Sequence, residues 1–224
     1  MDNSSTKTAV VTGGNCGIGL ALTKKLLAQN YKVIITSRSG EVSLEHRQLE
    51  VVQLDLNEES SIKGAAADIR KLTSQVELLV MNAGIADDIA LQRPTMQTFK
   101  ATLDVNLTGT VFFTEALRDH LNEQAQIVFI SSEMGLLAHA EPNAYAYRIS
   151  KAALNFYAKL LTKSYHETDV KVVTIHPGWV RTKLGGDQAP LHVDEAAAGI
   201  YKVVEKEKTS GDFFNIQTGA QFTL

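Results

Sequence analysis

The sequence predicts a doubly wound α/β fold, and three observations predict it. Short apolar, β-branched runs alternate along the chain with longer amphipathic stretches. The short runs are apolar throughout, as strands covered on both faces are. A glycine-rich turn follows the first run and opens the first helical stretch. Strands alternating with helices imply right-handed crossovers and a mainly parallel sheet, here of seven strands, between two helical layers. In such a three-layer sandwich ligands bind beyond the carboxyl ends of the strands, where the strand order reverses.

The elements follow in order. Residues 8–12 (TAVVT) read as the first strand, and residues 17–29 as a helix beyond the glycines. Strands are expected at 31–37 (YKVIITS) and 50–54 (EVVQL), then a helix over 60–72. A fourth strand at 76–81 (VELLVM) leads to one long helix over 95–121. The fifth strand is read at 126–131 (QIVFIS), followed by a helix over 143–166. The sixth strand is 171–176 (KVVTIH), the last helix 193–206, and a short seventh strand lies at 213–216.

A chain of 224 residues, 44% hydrophobic and 21% charged, has the size and balance of one globular domain spanning residues 1–224. A net charge of -3 gives no reason to expect nucleic acid or an anionic membrane as partner. No stretch approaches the roughly 18 apolar residues of a membrane span. The polar N-terminus, MDNSSTK, lacks the apolar core of a signal peptide. A single cysteine, Cys16, excludes an internal disulfide and fits a reducing, cytoplasmic setting. No metal site is read from the sequence.

The turn after the first strand carries Gly13, Gly17 and Gly19, with Asn15, Cys16 and Ile18 between them. Glycine lets the backbone turn tightly and approach a pyrophosphate, and the helix N-terminus offers unpaired N–H groups to it. These residues are expected to hold a dinucleotide, with Cys16 a loop residue without redox chemistry. Ser37 and Arg38 end the second strand, where NAD sites tend to place an acid. An arginine there can pair with a 2′-phosphate, so NADP(H) is the expected cofactor, with NAD(H) possible. Tyr147 and Lys151 fall at i and i+4 of a helix and share a face. An ammonium beside a phenol is expected to pull the tyrosine down from about 10 toward working pH, making it a proton donor and acceptor for an alcohol oxygen.

These motifs, with others in matching order, resemble the short-chain dehydrogenase/reductase family, and the resemblance covers nearly the whole chain. The family's Thr-Gly-x-x-x-Gly-x-Gly turn appears as residues 12–19. Its adenine-binding acid appears as Asp55, with Leu56 beside it. Its Asn-Ala-Gly stretch appears as Asn82, Ala83 and Gly84, preceded here by Met81 in place of the usual asparagine. Its helix asparagine appears as Asn106, and its serine as Ser132, second of the pair in IVFISSEMG. Its Pro-Gly appears as Pro177 and Gly178, followed by Val180 and Thr182. The resemblance implies a Rossmann-type domain. In it Ser132 polarises a carbonyl, Tyr147 protonates it, Lys151 holds the nicotinamide ribose, and Asn106 holds a relay water. Val180 and Thr182 orient the carboxamide. Ser131 is the alternative serine, and strand alternation sends it to the opposite face. Tyr145 is the alternative tyrosine, but Ile149 stands where its cation would be.

The segments AYRISKAALN, HPGWVRTKLGG and GDFFNIQTG narrow the resemblance to the C-factor and sniffer-type branch, which implies an NADPH-dependent reductase of ketones, aldehydes or quinones. The alternative is a nucleotide-binding signalling or sensor protein with incidental catalysis. The stretch KLGGDQAPLH is a short flap, implying an open cleft, with residues 135–141, Leu136, Leu137 and Trp179 as walls. His139 has no partner motif and is expected to be exposed. The helices around Asn106 and Tyr147 carry apolar residues beyond one stripe, among them Phe112, Phe113, Leu154, Phe156, Leu160 and Leu161. Such helices are expected to be buried on more than one side, and the family often pairs them into homodimers.

Overall fold

The strands form one sheet because their side chains alternate between two apolar layers. In this computed structural model, which describes residues 6–206 and 210–222, Val10, Ile34, Leu79, Ile127 and Phe129 point to one face. Their neighbours Val11, Ile35, Val80, Val128 and Ile130 point to the other. Residues 1–5 of the polar N-terminal segment lie outside the described residues. The strands are β1 (Thr8–Thr12), β2 (Lys32–Ser37), β3 (Leu49–Gln53), β4 (Val76–Met81), β5 (Leu121–Ile130), β6 (Lys171–His176), β7 (Phe213–Asn215) and β8 (Gln221–Phe222). Their order is β3-β2-β1-β4-β5-β6-β7-β8. Neighbours are parallel from β3 through β7, and only β8 runs antiparallel. The order reverses between β1 and β4, so the crevice for a ligand opens at their carboxyl ends.

Helices α1 (Gly17–Ala28), α2 (Glu59–Leu72), α3 (Met96–Leu103), α4 (Thr110–Leu117), α5 (Tyr145–Ser164) and α6 (Val193–Lys206) cover the sheet. Ile62, Ile69, Phe113, Leu117, Leu154 and Leu161 bring α2, α4 and α5 onto one face. Leu22, Leu26, Ala197 and Ile200 bring α1 and α6 onto the other. Phe113 is fully buried, and its truncation to alanine would cost about 3–5 kcal/mol.

The structure departs from the sequence reading in three places. The single helix expected over 95–121 is broken by a π-helical turn, Asp104–Gly109. Gly109 there packs so closely on Leu56 that a Cβ would collide with the Leu56 carbonyl. Helix α4 ends at Leu117, and β5 starts at Leu121 rather than at 126. Its first residues pair with β4 only through Leu121 opposite Val76, before a register shift. Gln124 and Glu123 are exposed, so the apolar pattern begins later than the strand. An eighth strand, β8, is too short to show a period. It is held by two pairs with β7 and by Phe222 against Phe213, ring centroids 5.0 Å apart.

Candidate active site

The loops at the carboxyl ends of β1, β4, β5 and β6 converge on a cavity of about 650 Å³. Ile18, Asn82, Gly84, Ser132, Tyr147, Lys151, Pro177, Gly178, Val180 and Thr182 all line it. The glycine turn faces it from one side. Gly13 has φ +64°, and a Cβ on Gly19 would collide with the Gly13 carbonyl oxygen. Cys16, exposed, is the N-cap of α1 and makes no side-chain capping bond, and the first turn holds no acid. The leading N–H groups of α1 are thus free of side-chain acceptors, as anion binding requires. A Cβ on Gly17 would lie 3.4 Å from Thr182 Cγ2, so the turn and the flap after β6 face each other closely. Asn15 is half-buried in the same turn.

Asn82 ties this turn to β4. Its Nδ2 donates to the Thr12 carbonyl at 2.9 Å, and its N–H and that of Ala83 donate to Thr12 Oγ1 at 2.9 and 3.0 Å. Asn82 and Ala83 therefore brace the site. Ser37 is buried and its hydroxyl is engaged with Glu41 backbone groups. Arg38 is exposed just beyond β2. Asp55 spends Oδ1 on the N–H and amide of Asn57, at 2.9 and 3.0 Å, and Leu56 beside it is buried.

The two serines part as strand alternation requires. Ser131 also lines the cavity, but its Oγ is committed to Asn155 Oδ1, to which it donates at 2.6 Å. Ser132 Oγ accepts from Met134 N–H at 3.2 Å, and Ser132 lines the cavity together with Tyr147. Tyr147 is buried, whereas Tyr145 is 37% exposed at the start of α5. Lys151 is 4% exposed and its Nζ donates to the Ile130 carbonyl at 2.9 Å. A Cβ on Gly84 would meet Asn106 Oδ1 at 3.2 Å and Lys151 Nζ at 3.6 Å, so both side chains stand against that glycine. Asn106 is held through both ends of its amide. Oδ1 accepts from Ile85 N–H at 2.8 Å, and Nδ2 donates to the Ile85 carbonyl at 2.8 Å and to Ser150 Oγ at 3.1 Å.

The expected acidification of Tyr147 by Lys151 is not found. Burial pushes the phenol up to about 12, against a smaller lowering by the Ser132 side chain. Burial alone brings Lys151 down to about 8. The ammonium lies 5.7 Å from the Tyr147 ring centroid and is committed to Ile130, so desolvation outweighs the charge.

The cavity walls also differ from the reading. Trp179 lines it as expected, with Glu133, Met134 and Ile89, but residues 135–141 do not, Leu136 and Leu137 among them, and Leu137 is 90% exposed. The short flap folds on itself. Trp179 Nε1 donates to the Gly185 carbonyl at 2.8 Å, Gly185 N–H donates to Thr182 Oγ1 at 3.0 Å, and Val180 bridges Leu191. His139 is exposed. Two groups escaped the sequence reading. His176 ends β6 on the cavity wall with Nε2 3.7 Å from Glu133 Oε1, and burial lowers it below the usual histidine range. Asp88, 1% exposed, accepts backbone N–H groups of α5. No spacing in the sequence joins Asp88 to a helix 58 residues later.

The surplus apolar residues of α4 and α5 are not buried on more than one side. Phe113, Leu154 and Leu161 face the sheet, whereas Phe112, Phe156 and Leu160 are 60%, 66% and 50% exposed. No described helix is long and apolar enough to cross a membrane.

The chain is similar to known proteins. An NADPH-bound carbonyl reductase from chicken fatty liver superposes with a TM-score of 0.86 at 30% identity, covering 98% of this chain and 99% of that one. Carbonyl reductase Sniffer of D. melanogaster superposes with a TM-score of 0.89 at 29% identity, covering 98% and 100%. The C-signal of Myxococcus xanthus is 32% identical over 151 residues, 65% of this chain and 91% of C-signal. The family model described as short chain dehydrogenase matches residues 7–190, and the chain belongs to that family of oxidoreductases.

Proposed function

We propose that this chain, acting as one domain, is an NADPH-dependent carbonyl reductase that converts a ketone, aldehyde or quinone to an alcohol. One observation carries the reading: Tyr147, Ser132 and Lys151 line the same cavity as Pro177, Gly178, Val180 and Thr182. When bound, NADPH supplies the hydride. Tyr147 gives its proton to the carbonyl oxygen, and burial keeps that proton in place at neutral pH. Ser132 donates to the same oxygen and polarises it. Lys151 binds the nicotinamide ribose hydroxyls. Asn106 has both amide ends occupied, so any relay water rests on its main chain, beside the π-helical turn. Val180 and Thr182 orient the carboxamide, the uncapped start of α1 holds the pyrophosphate, and Asp55 accepts from the adenine amino group. The exposed Arg38 pairs with the 2′-phosphate and favours NADP(H) over NAD(H). The similarity to an NADPH-bound carbonyl reductase supports that preference.

The protein acts in the cytoplasm as a homodimer built on Phe112, Phe156 and Leu160, which expose apolar area on neighbouring helices. A single monomeric species in sedimentation at micromolar concentration would remove the dimer. Steady-state NADPH oxidation with quinones, diketones and aldehydes tests the activity, with Tyr147→Phe as the control that retains cofactor binding and loses turnover. A second reading, a nucleotide-binding signalling protein, is favoured by the similarity to C-signal. Nucleotide binding without turnover of any carbonyl in the panel would select it.

A further inference from the structure

Helix α5 carries Tyr147 and Lys151, yet its own sequence does not cap it. The N-cap is Ala144, which has no side-chain acceptor and sits in the left-handed region at φ 45°. The first turn holds no acid. Ala146 and Tyr147 are both buried, so water cannot serve their N–H groups. The missing acceptor comes from the loop after β4. Asp88 Oδ2 accepts from Ala146 N–H at 2.6 Å and Oδ1 from Tyr147 N–H at 3.3 Å.

The same loop grips α5 a second time. Asn106 joins Ile85 to Ser150, and Ser150 Oγ donates to the Tyr147 carbonyl at 2.7 Å. Tyr147 is thus held at its N–H by Asp88 and at its carbonyl through Ser150. Asp88 is itself fixed in a turn, with Ile89 N–H donating to the Ala86 carbonyl at 3.1 Å and Leu91 N–H to the Asp88 carbonyl at 3.0 Å. The next residue, Ile89, lines the cavity. Adjacent residues of one turn therefore hold the reacting tyrosine and form the wall a substrate meets.

We propose that Asp88 is a positioning residue, supplying from the β4 loop the cap that sets the place of Tyr147 relative to Ser132 and to the Ile89 wall. The proposal rests on the reading of Tyr147 as proton donor. A misplacement of the reacting group of about 1 Å is enough to cost a large factor in rate, while nucleotide contacts on β1 and β2 are untouched.

The test compares Asp88→Ala and Asp88→Asn. Asp88→Ala is expected to lower kcat by about tenfold or more, with the Kd for NADPH within about twofold of the parent. Asp88→Asn keeps an acceptor oxygen and is expected to recover kcat to within about threefold. Amide spectra of deuterated, nitrogen-labelled protein give a readout independent of turnover. The Ala146 and Tyr147 amides should shift and exchange faster in Asp88→Ala, and return toward parental positions in Asp88→Asn. If the parent reduces no carbonyl, the reductase reading fails, while these amides still report whether Asp88 holds the turn. The proposal is overturned by unmoved amides, by kcat within twofold in Asp88→Ala, or by equal losses of kcat, NADPH affinity and Tm. No recovery in a folded Asp88→Asn would also overturn it.

Discussion

The Lys151 ammonium donates to the Ile130 carbonyl at 2.9 Å, at the end of β5 and one residue before the serine pair. Committed to that backbone oxygen, it stands 5.7 Å from the Tyr147 ring centroid. The phenol is therefore governed by its burial, which pushes it up to about 12. Ultraviolet difference titration of the nucleotide-free protein against Tyr147→Phe should show no ionisation of this phenol below about pH 11. A component titrating below pH 9 would mean that charge outweighs desolvation.

Lys151 carries the matching cost. Its folded value of about 8 lies below the ordinary lysine value of 10.5, so between these the unfolded chain binds more protons. Stability must rise as pH climbs from 8 through 10.5, and the penalty is fully present below 8. The shift corresponds to on the order of 3 kcal/mol, offset in Lys151→Met by about 1–2 kcal/mol for leaving the Ile130 carbonyl unpaired. Lys151→Met should thus raise Tm at pH 7 while removing activity, and its advantage should fade toward pH 10.5. A lower Tm at pH 7 would show that the bond to Ile130 outweighs the buried charge.

The serine pair separates stability from rate. Ser131 is buried against Asn155, whose Nδ2 already lacks a partner among the described residues. Ser131→Ala leaves the Asn155 oxygen unpaired as well and should cost about 1–3 kcal/mol in denaturant unfolding, with kcat close to the parent. Ser132→Ala loses a weak cap and the hydroxyl beside Tyr147. It should lower kcat by about 10²–10³ and stability by no more than about 1 kcal/mol. The reverse pattern would exchange the roles of the two residues.

The strand–helix alternation, the glycine turn and the Tyr147–Lys151 pair were legible because they follow local rules: apolar runs, glycine spacing, an i and i+4 pair. The π-helical turn was not, because no local pattern marks it; Gly109 within it packs on Leu56, a residue far away in sequence. The amide of Asn106 could be placed on a helix, but its bonds to Ile85 are tertiary. Asp88 escaped the reading for the same reason, since its bonds to α5 are tertiary. The direction of the Tyr147 shift was misread because spacing reports proximity to a cation and is silent on burial. Phe112, Phe156 and Leu160 were legible as surplus apolar residues, but their exposure depends on how α4 and α5 roll against the sheet.

Arg38 provides the sharpest test of cofactor choice. It is exposed beyond β2, and its carbonyl accepts from Gln53 Nε2 at 2.9 Å, so the backbone there is anchored while the guanidinium is open to solvent. Ser37 cannot easily take its place, because its hydroxyl is committed to Glu41. On the proposed reading, a 2′-phosphate takes charge-assisted hydrogen bonds from Arg38. Arg38→Asp repels the phosphate and offers an acceptor to a ribose 2′-hydroxyl. The ratio of kcat/KM for NADPH over NADH should fall by about tenfold or more, with Tm unchanged because the residue is exposed. An unchanged ratio would assign phosphate recognition to backbone groups of the turn after β2.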